Sequence, residues 1–285
     1  MTINKLPCHT SIAVALMLAF SAPIFAYDTS EPAQMKGLKG WTTNPVFTIG
    51  ETVDGYTPPG VPDGMGAFER EDTVVIVSNH ELSARLGYSY TLASGAALTG
   101  ARISSLTFDK ATRELMTMAP AYDTIYNRAG ASVDFDNGLD SSDSNGLNRL
   151  CSAGSVVAGQ AGFVDDALLT GEETNGGTGF ALDIEAGALW ALPAMGRAGW
   201  ESATALNIPG FNDTHVAILI GDDRADAALL LYVGKKQSDG NFIERNGLAN
   251  GTLYMWVAND GSLSPADWNG TGTSRSGKFV AVENY

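Results

Sequence analysis

The chain has two cysteines, Cys8 and Cys151. Cys8 falls in a segment expected to be removed, so Cys151 has no intrachain partner and a disulfide framework is excluded. Long apolar runs are also scarce. Ile12–Phe20 is uncharged and apolar but too short to cross a bilayer as a helix, so stable membrane insertion is not expected. It follows Lys5 and leads to Pro23-Ile24-Phe25-Ala26, and Met1–Ala26 therefore reads as a secretory signal peptide. No twin arginine is present, which makes the leader the general secretory type. Basic residues are few: 17 Lys and Arg against 32 Asp and Glu, a net charge of −15 that becomes −16 once Lys5 leaves with the leader. Such a surface repels phosphate backbones, so nucleic acid is not an expected partner, whereas multivalent cations are well matched to carboxylates. The mature chain, residues 27–285, is expected as one exported domain, periplasmic or extracellular and monomeric.

The mature sequence contains many short strand-like runs: Thr73–Val77, Ala101–Phe108, Asp166–Thr170, Gly179–Ile184, Ala188–Leu192, His215–Ile220, Leu229–Val233, Thr252–Ala258 and Lys278–Val282. Turn residues separate them, as in Asp136-Asn137-Gly138, and no run suits a long helix. This is the pattern of an all-β sandwich, barrel or propeller. A recurrence favours the propeller. Four apolar runs end in polar, acid-bearing tips: Ser78-Asn79-His80-Glu81, Gly171-Glu172-Glu173, Gly221-Asp222-Asp223 and Glu283-Asn284. Glu81 and Glu173 are 92 residues apart, and the next two steps, to Asp223 and Glu283, are 50 and 60. A propeller blade takes roughly 40–50 residues, so these steps resemble two blades, one blade and one enlarged blade. If the runs line a central channel, their tips converge, and convergent carboxylates require a cation between them. Turn chemistry alone also ends strands in Asp, Asn and Gly.

Adjacent strand residues face opposite ways, so either Glu172 or Glu173, and either Asp222 or Asp223, is the one available to a ligand. His80 reads as a packing residue, because histidine ligands usually come in groups. Trp190, Trp200 and Trp256 read as core or rim packing. Residues 127–150 are polar and strand-poor, a long loop. Its Asp143-x-Asn145-Gly146 echoes part of a calcium loop, but Ser141 stands at the first ligand position and no Glu at the twelfth, so it is not an EF-hand. For the lone Cys151, the default is a buried structural thiol.

Several segments, taken in order, resemble the PhoX-type secreted phosphatases and their shorter relatives. They are Gly55–Phe68 (GYTPPGVPDGMGAF), Val77–Leu82 (VSNHEL), Leu147–Gly154 (LNRLCSAG), Leu168–Glu173 (LLTGEE), Gly196–Glu201 (GRAGWE), Leu219–Asp223 (LIGDD), Leu230–Lys236 (LLYVGKK) and Glu244–Leu248 (ERNGL) leading to Gly251–Tyr254 (GTLY). The match covers about residues 40–258. Trp200 stands where many relatives carry histidine. The resemblance implies a β-propeller of antiparallel four-stranded blades around a central channel. It also implies a mixed Ca2+ and Fe3+ cluster that hydrolyses a small-molecule phosphate ester. By position, Cys151 would be the thiolate bridging the irons, and Glu81, Glu173, Glu201 and Asp223 would be carboxylate ligands. Arg149, Arg197 and Arg224 are the candidates for binding the phosphoryl group. The chain is short for this family, and Phe279–Tyr285 looks like the start of a further acidic-tipped strand, as in a propeller truncated at its C-terminus. A non-catalytic calcium-stabilised propeller used for binding, or a calcium-dependent lactonase or esterase, stands as the alternative.

Overall fold

The computed structural model describes residues 27, 29–262, 272 and 274–283. The expected signal peptide lies outside the described residues. The fold is all-β. Its strands are β1 (Pro62–Glu69), β2 (Thr73–His80), β3 (Tyr90–Thr91), β4 (Ala97–Gly100), β5 (Arg102–Asp109), β6 (Leu115–Pro120), β7 (Thr124–Tyr126), β8 (Gly146–Leu147), β9 (Leu150–Val156), β10 (Ala167–Asp183), β11 (Ala188–Ala191), β12 (Arg197–Ala205), β13 (His215–Asp222), β14 (Leu230–Lys235), β15 (Gly251–Ala258) and β16 (Gly277–Val282). The described helix α1 (Phe242–Arg245) is a single turn closed by a reciprocal Asn241–Glu244 cap.

Among the described residues the strands form three blade-like units, antiparallel except that β7 joins the edge of the second by pairing in parallel with β11. The first is β1-β2-β5-β6. The second is built on β10, an extended run that doubles back on itself. Its first half pairs with β9 and its second half with β11, while Ile184 N donates to Asp166 O at 3.3 Å. The third is β12-β13-β14-β15, with β16 added outside β15. The turn of β10 reaches across to β12, pairing Glu173 with Gly199, and so ties the second unit to the third.

The strands that begin the three units, β1, β9 and β12, pack side by side. Their backbones touch because glycine stands at the crossing points. A Cβ on Gly64 would fall inside van der Waals distance of Ala153 N, and one on Gly154 would do the same to Ala203 O. The obstructing atoms are backbone, so no side chain can yield. Gly64→Ala is therefore expected to cost about 1–3 kcal/mol by overpacking, a drop of roughly 2–4 °C in melting temperature per kcal/mol for a domain of this size. A melt superimposable on the wild type would contradict this close approach.

The second strands carry apolar stretches, Val74–Val77 of β2 and Val216–Ile220 of β13, whose side chains are buried or partly buried. Val216, Ile218 and Ile220 of β13 are fully buried in a core shared with Leu169, Trp200 and Tyr232. Phe68, Val77, Ile103, Leu168 and Phe180 form the core between the first two units.

Two expectations are corrected. Three of the four acidic-tipped apolar runs are the second strand of a unit, and the strands that pack against one another from unit to unit are β1, β9 and β12. The 92-residue step from Glu81 to Glu173 is not two blades. It is one unit plus insertions, which include the small sheet β3-β4-β8. The fourth run, β16, joins the third sheet as its outer strand, four places from β12, or about 19 Å away at the usual inter-strand spacing. Glu283 at its end is exposed, and Asn284 lies outside the described residues.

Candidate metal centre

Two chain segments turn sharply just before they enter first strands. Val61 and Arg149 both hold left-handed backbone, with φ of 54° and 53°, uncommon for any side chain and rarest for a β-branched one. Such strain costs of order 1–3 kcal/mol and is retained where surrounding structure enforces it. Here Glu81 N donates to Val61 O at 2.9 Å, Arg149 N donates to Leu82 O at 2.8 Å and Glu173 N donates to Arg149 O at 2.9 Å. Two residues after each turn comes a donor side chain, Asp63 on β1 and Cys151 on β9. Pairing irregularities re-aim further side chains. The register shifts between Pro62 and Met65, between Glu173 and Gly177, and between Trp200 and Ala203, and these breaks hold Asp63, Glu173 and Glu201.

The result is a cluster to which all three units contribute. Donor atoms of Asp63, Glu81 and Cys151 lie within 4.8 Å of one another, and so do those of Cys151, Glu173 and Glu201. Cys151 belongs to both groups. Its Sγ lies 3.8 Å from Asp63 Oδ2 and 3.8 Å from Glu201 Oε2. Arg149 Nη2 lies 2.6 Å from Glu81 Oε1 and 2.8 Å from Glu173 Oε2. Asp223, whose N donates to Gly199 O at 2.8 Å, lies close enough to the Glu173 carboxyl for each to act on the other's ionisation.

The electrostatics are those of crowded anions. Burial and then the Glu173 charge raise the Glu81 carboxyl, against the pull of Arg149. Burial, with Glu173 and Asp223, raises Glu201. The Glu173 carboxyl beside it raises Asp223. Glu173 itself is lowered: burial opposes ionisation, but the neighbouring Arg149, Cys151 and Asp223 side chains outweigh it. The Cys151 thiol is driven far upward, first by burial, then by Glu173, Asp63 and Glu201. The Arg149 guanidinium lies among five carboxylates and a thiol, and the close approach of carboxylates is favourable only with a proton or a cation between them. Cations inserted among them would reverse each of the upward shifts. The donor set fits the implied metals: hard oxygens in number for calcium, and one thiol among carboxylates for iron.

The paired acids at the tips are resolved. Glu173 and Asp223 face the cluster. Glu172 is fully buried and faces the other way. It accepts from Ser141 Oγ, from Ser142 N at 3.1 Å, from Asn148 N at 2.9 Å and from Thr178 N at 3.0 Å. Asp222 accepts from Gly199 N at 3.3 Å and pairs with Arg224 through Nε at 2.8 Å. Arg197 donates to Gly176 O at 3.0 Å and pairs with Asp140 at 3.4 Å. Arg149 is the candidate arginine whose ion pairs to carboxylates of the cluster, Glu81 and Glu173, are seen directly.

Supporting residues surround the donors. Asn79, fully buried, donates from Nδ2 to Cys151 O at 2.7 Å and to Thr170 Oγ1 at 2.8 Å, which fixes the start of β9. His80 is buried between Gly60 O at 3.0 Å and Ser104 Oγ at 2.7 Å, a packing role, and its pKa is pushed down to about 4 by burial. Trp200 is buried and donates from Nε1 to Gly177 O at 3.0 Å, again a core role. Within residues 127–150, Asp143 accepts from Asn145 N at 2.9 Å and pairs with Arg85, an ordinary loop turn. Sequence reasoning missed Asp63 as a donor. It begins a strand instead of ending one, so the rule of an apolar run followed by an acid could not find it, although its segment, Gly55–Phe68, carries the family resemblance.

No protein-family model matches this chain, and no curated protein matches it. Among solved structures, Pseudomonas fluorescens PhoX in complex with vanadate, a transition state analogue, aligns with a TM-score of 0.45 and 14% identity. The alignment covers 70% of this chain and 45% of that chain, so the chain matches less than half of that protein's length. No helix among the described residues is long and apolar enough to cross a membrane.

Proposed function

We propose that this chain is an exported, monomeric, metal-dependent hydrolase of small phosphate esters, with calcium and iron as its metals. One observation carries the reading: a single thiol, Cys151, is common to two three-donor groups built by different parts of the fold. That is the position of a ligand shared between two cations. On this reading Asp63 and Glu81 serve one side, Glu173 and Glu201 the other, and Asp223 supports Glu173.

When bound, the metals would supply Lewis acidity toward phosphoryl oxygens and a more acidic bound water. The chain's own contribution is placement. Asn79 fixes Cys151. The Arg149 guanidinium is partly exposed beside Glu81 and Glu173, where it can bind phosphoryl oxygens at the edge of the cluster. Arg197 and Arg224 are further candidates for that contact, from the sequence resemblance.

The test is turnover by metal-loaded protein on a phosphate monoester, a phosphodiester, a lactone and a carboxyl ester, alongside metal analysis. Monoester hydrolysis with both calcium and iron present is the expected result. Lactone or carboxyl-ester turnover with calcium alone would replace this reading by the calcium-dependent hydrolase. Calcium without turnover on any of them would replace it by a binding propeller.

A further inference from the structure

The two faces of the first unit differ. Phe68, Val75, Val77 and Ile103 belong to the core shared with the second unit, whereas Ile76, Leu106, Phe108 and Met118 lie in a separate apolar cluster with Phe47. On that other face the N-terminal segment leaves a groove of about 340 Å3. Cross-strand register lays out its floor. Ile76, Leu106 and Met118 form one row, Met65, Ser78 and Ser104 the next, and Pro62 and His80 the last. From Ile76 to His80 is about 13 Å along the strand. Asp63, beside Pro62, lines the groove at its His80 end. Asp63 Oδ2 also lies 3.8 Å from Cys151 Sγ in the metal cluster. One residue therefore borders both.

The lining is chemically one-sided. Val46, Phe47 and Phe108 add to the apolar walls, and Met65 at the mouth is 63% exposed. Apart from Asp63, the polar side chains of the lining are already engaged. His80 Nδ1 meets Gly60 O at 3.0 Å and its Nε2 meets Ser104 Oγ at 2.7 Å. Ser104 Oγ also meets Tyr56 Oη at 2.8 Å, and Ser78 Oγ donates to Asn79 O at 3.2 Å. A sugar or a nucleobase placed along this floor would give up hydrogen bonds to water and find no free side-chain partner in return. An apolar group has none to lose and gains by burial. The volume is at the small end for ligand pockets, which suits a short chain or a single ring.

We infer that this groove binds the apolar alcohol portion of a phosphate ester whose phosphoryl group lies at the metal cluster. The substrates are then alkyl or aryl phosphates, not sugar phosphates or nucleotides. The inference rests on the proposed hydrolase reading and adds the substrate class to it.

NMR of isotope-labelled methionine methyls tests this, on the calcium-loaded full chain titrated with hexylphosphonate and with methylphosphonate. Neither probe has an ester to cleave, so binding is read without turnover. Hexylphosphonate should shift the Met65 and Met118 methyl signals. It should also bind more tightly than methylphosphonate, by about three- to fourfold for each methylene that enters the groove. Ile76 is only partly buried, so Ile76→Thr should keep the fold, weaken hexylphosphonate severalfold and leave methylphosphonate unchanged. Turnover of hexyl and methyl phosphate, measured alongside, should follow the same order. No binding of hexylphosphonate, equal affinity for the two probes, or unshifted Met65 and Met118 would each overturn the inference, and continued turnover of methyl phosphate would then leave the hydrolase reading intact. A chain-length effect on binding without turnover of any ester would remove the hydrolase reading and leave the groove's ligand class standing.

Discussion

On the proposed function, a Cys151→Ser protein is expected to lose iron and phosphatase turnover while keeping its fold and part of the calcium. The thiol is the one soft donor in the cluster and the one atom common to both three-donor groups. Serine is isosteric, but its hydroxyl is hard and does not ionise near neutral pH, so it selects against iron. The drop in turnover should exceed the roughly 10–100-fold that follows loss of a residue merely contacting a metal ligand. On the same reading calcium would be held by oxygens, and Asp63, Glu81, Glu173 and Glu201 all remain. Stability should change little, because Cys151 is only partly buried and its backbone is fixed through Asn79. Iron content, calcium content and monoester turnover, measured on the same preparation, check the three parts. A serine variant with wild-type iron and turnover would return Cys151 to an ordinary structural thiol.

The second large effect is structural and falls one residue from the cluster. Glu172→Ala removes the acceptor for three backbone N–H groups, those of Ser142, Asn148 and Thr178, and for the Ser141 hydroxyl. A buried donor left without a partner, as Thr178 N would be, costs about 1–3 kcal/mol, and the part-buried donors cost less, so a loss on the order of 2–4 kcal/mol is expected. The segment from Ser141 to Asn148 should detach, and with it the turn that presents Arg149. Denaturant unfolding, together with limited proteolysis of that segment, reads both consequences. Unchanged unfolding midpoint and protease resistance would contradict the role assigned to Glu172. The contrast with Glu173 is informative. Glu173→Gln should leave the fold intact and act on metal content, since that side chain faces the cluster.

What the sequence made legible, and what it hid, follows from how the units pack. The second and outer strands, such as β2, β13 and β14, are plain in the sequence, because each carries a run of apolar and β-branched residues. The first strands were silent. β1, β9 and β12 read PDGMGAFE, LCSAGSV and RAGWESATA, rich in glycine, alanine and serine with little strand propensity. Those residues are small because the three backbones lie against one another, as Gly64 and Gly154 require. The strands that carry Asp63, Cys151 and Glu201 are therefore the ones with the weakest local signal. Cys151 and Glu201 are marked in the sequence by motif resemblance, whereas Glu81, Glu173 and Asp223 are also marked by acidic tips. The count of blades failed for a different reason. Insertions lengthen the step between Glu81 and Glu173, and spacing alone cannot distinguish an inserted sheet from another unit.

The choice between neighbouring acids was beyond the sequence for a physical reason. Alternation says that Glu172 and Glu173 diverge, but not which side holds the cluster. The structure decides by where the hydrogen bonds go. Glu172 is saturated by backbone donors, and Glu173 is left to Arg149, Cys151 and Asp223. Asp222 and Asp223 divide in the same way, the first against Gly199 N and Arg224, the second against Glu173.

The central claim is that the carboxylates and thiol form a metal centre. The most direct measurement is thermal melting of the purified chain with calcium, after chelation, and after calcium is restored. A cation bound to the folded state alone at 100 times its Kd adds about 2.7 kcal/mol, equivalent to roughly 5–10 °C for a domain of this size. The account predicts a fall of that order on chelation and recovery on adding calcium back. An identical melting temperature in all three conditions would contradict it.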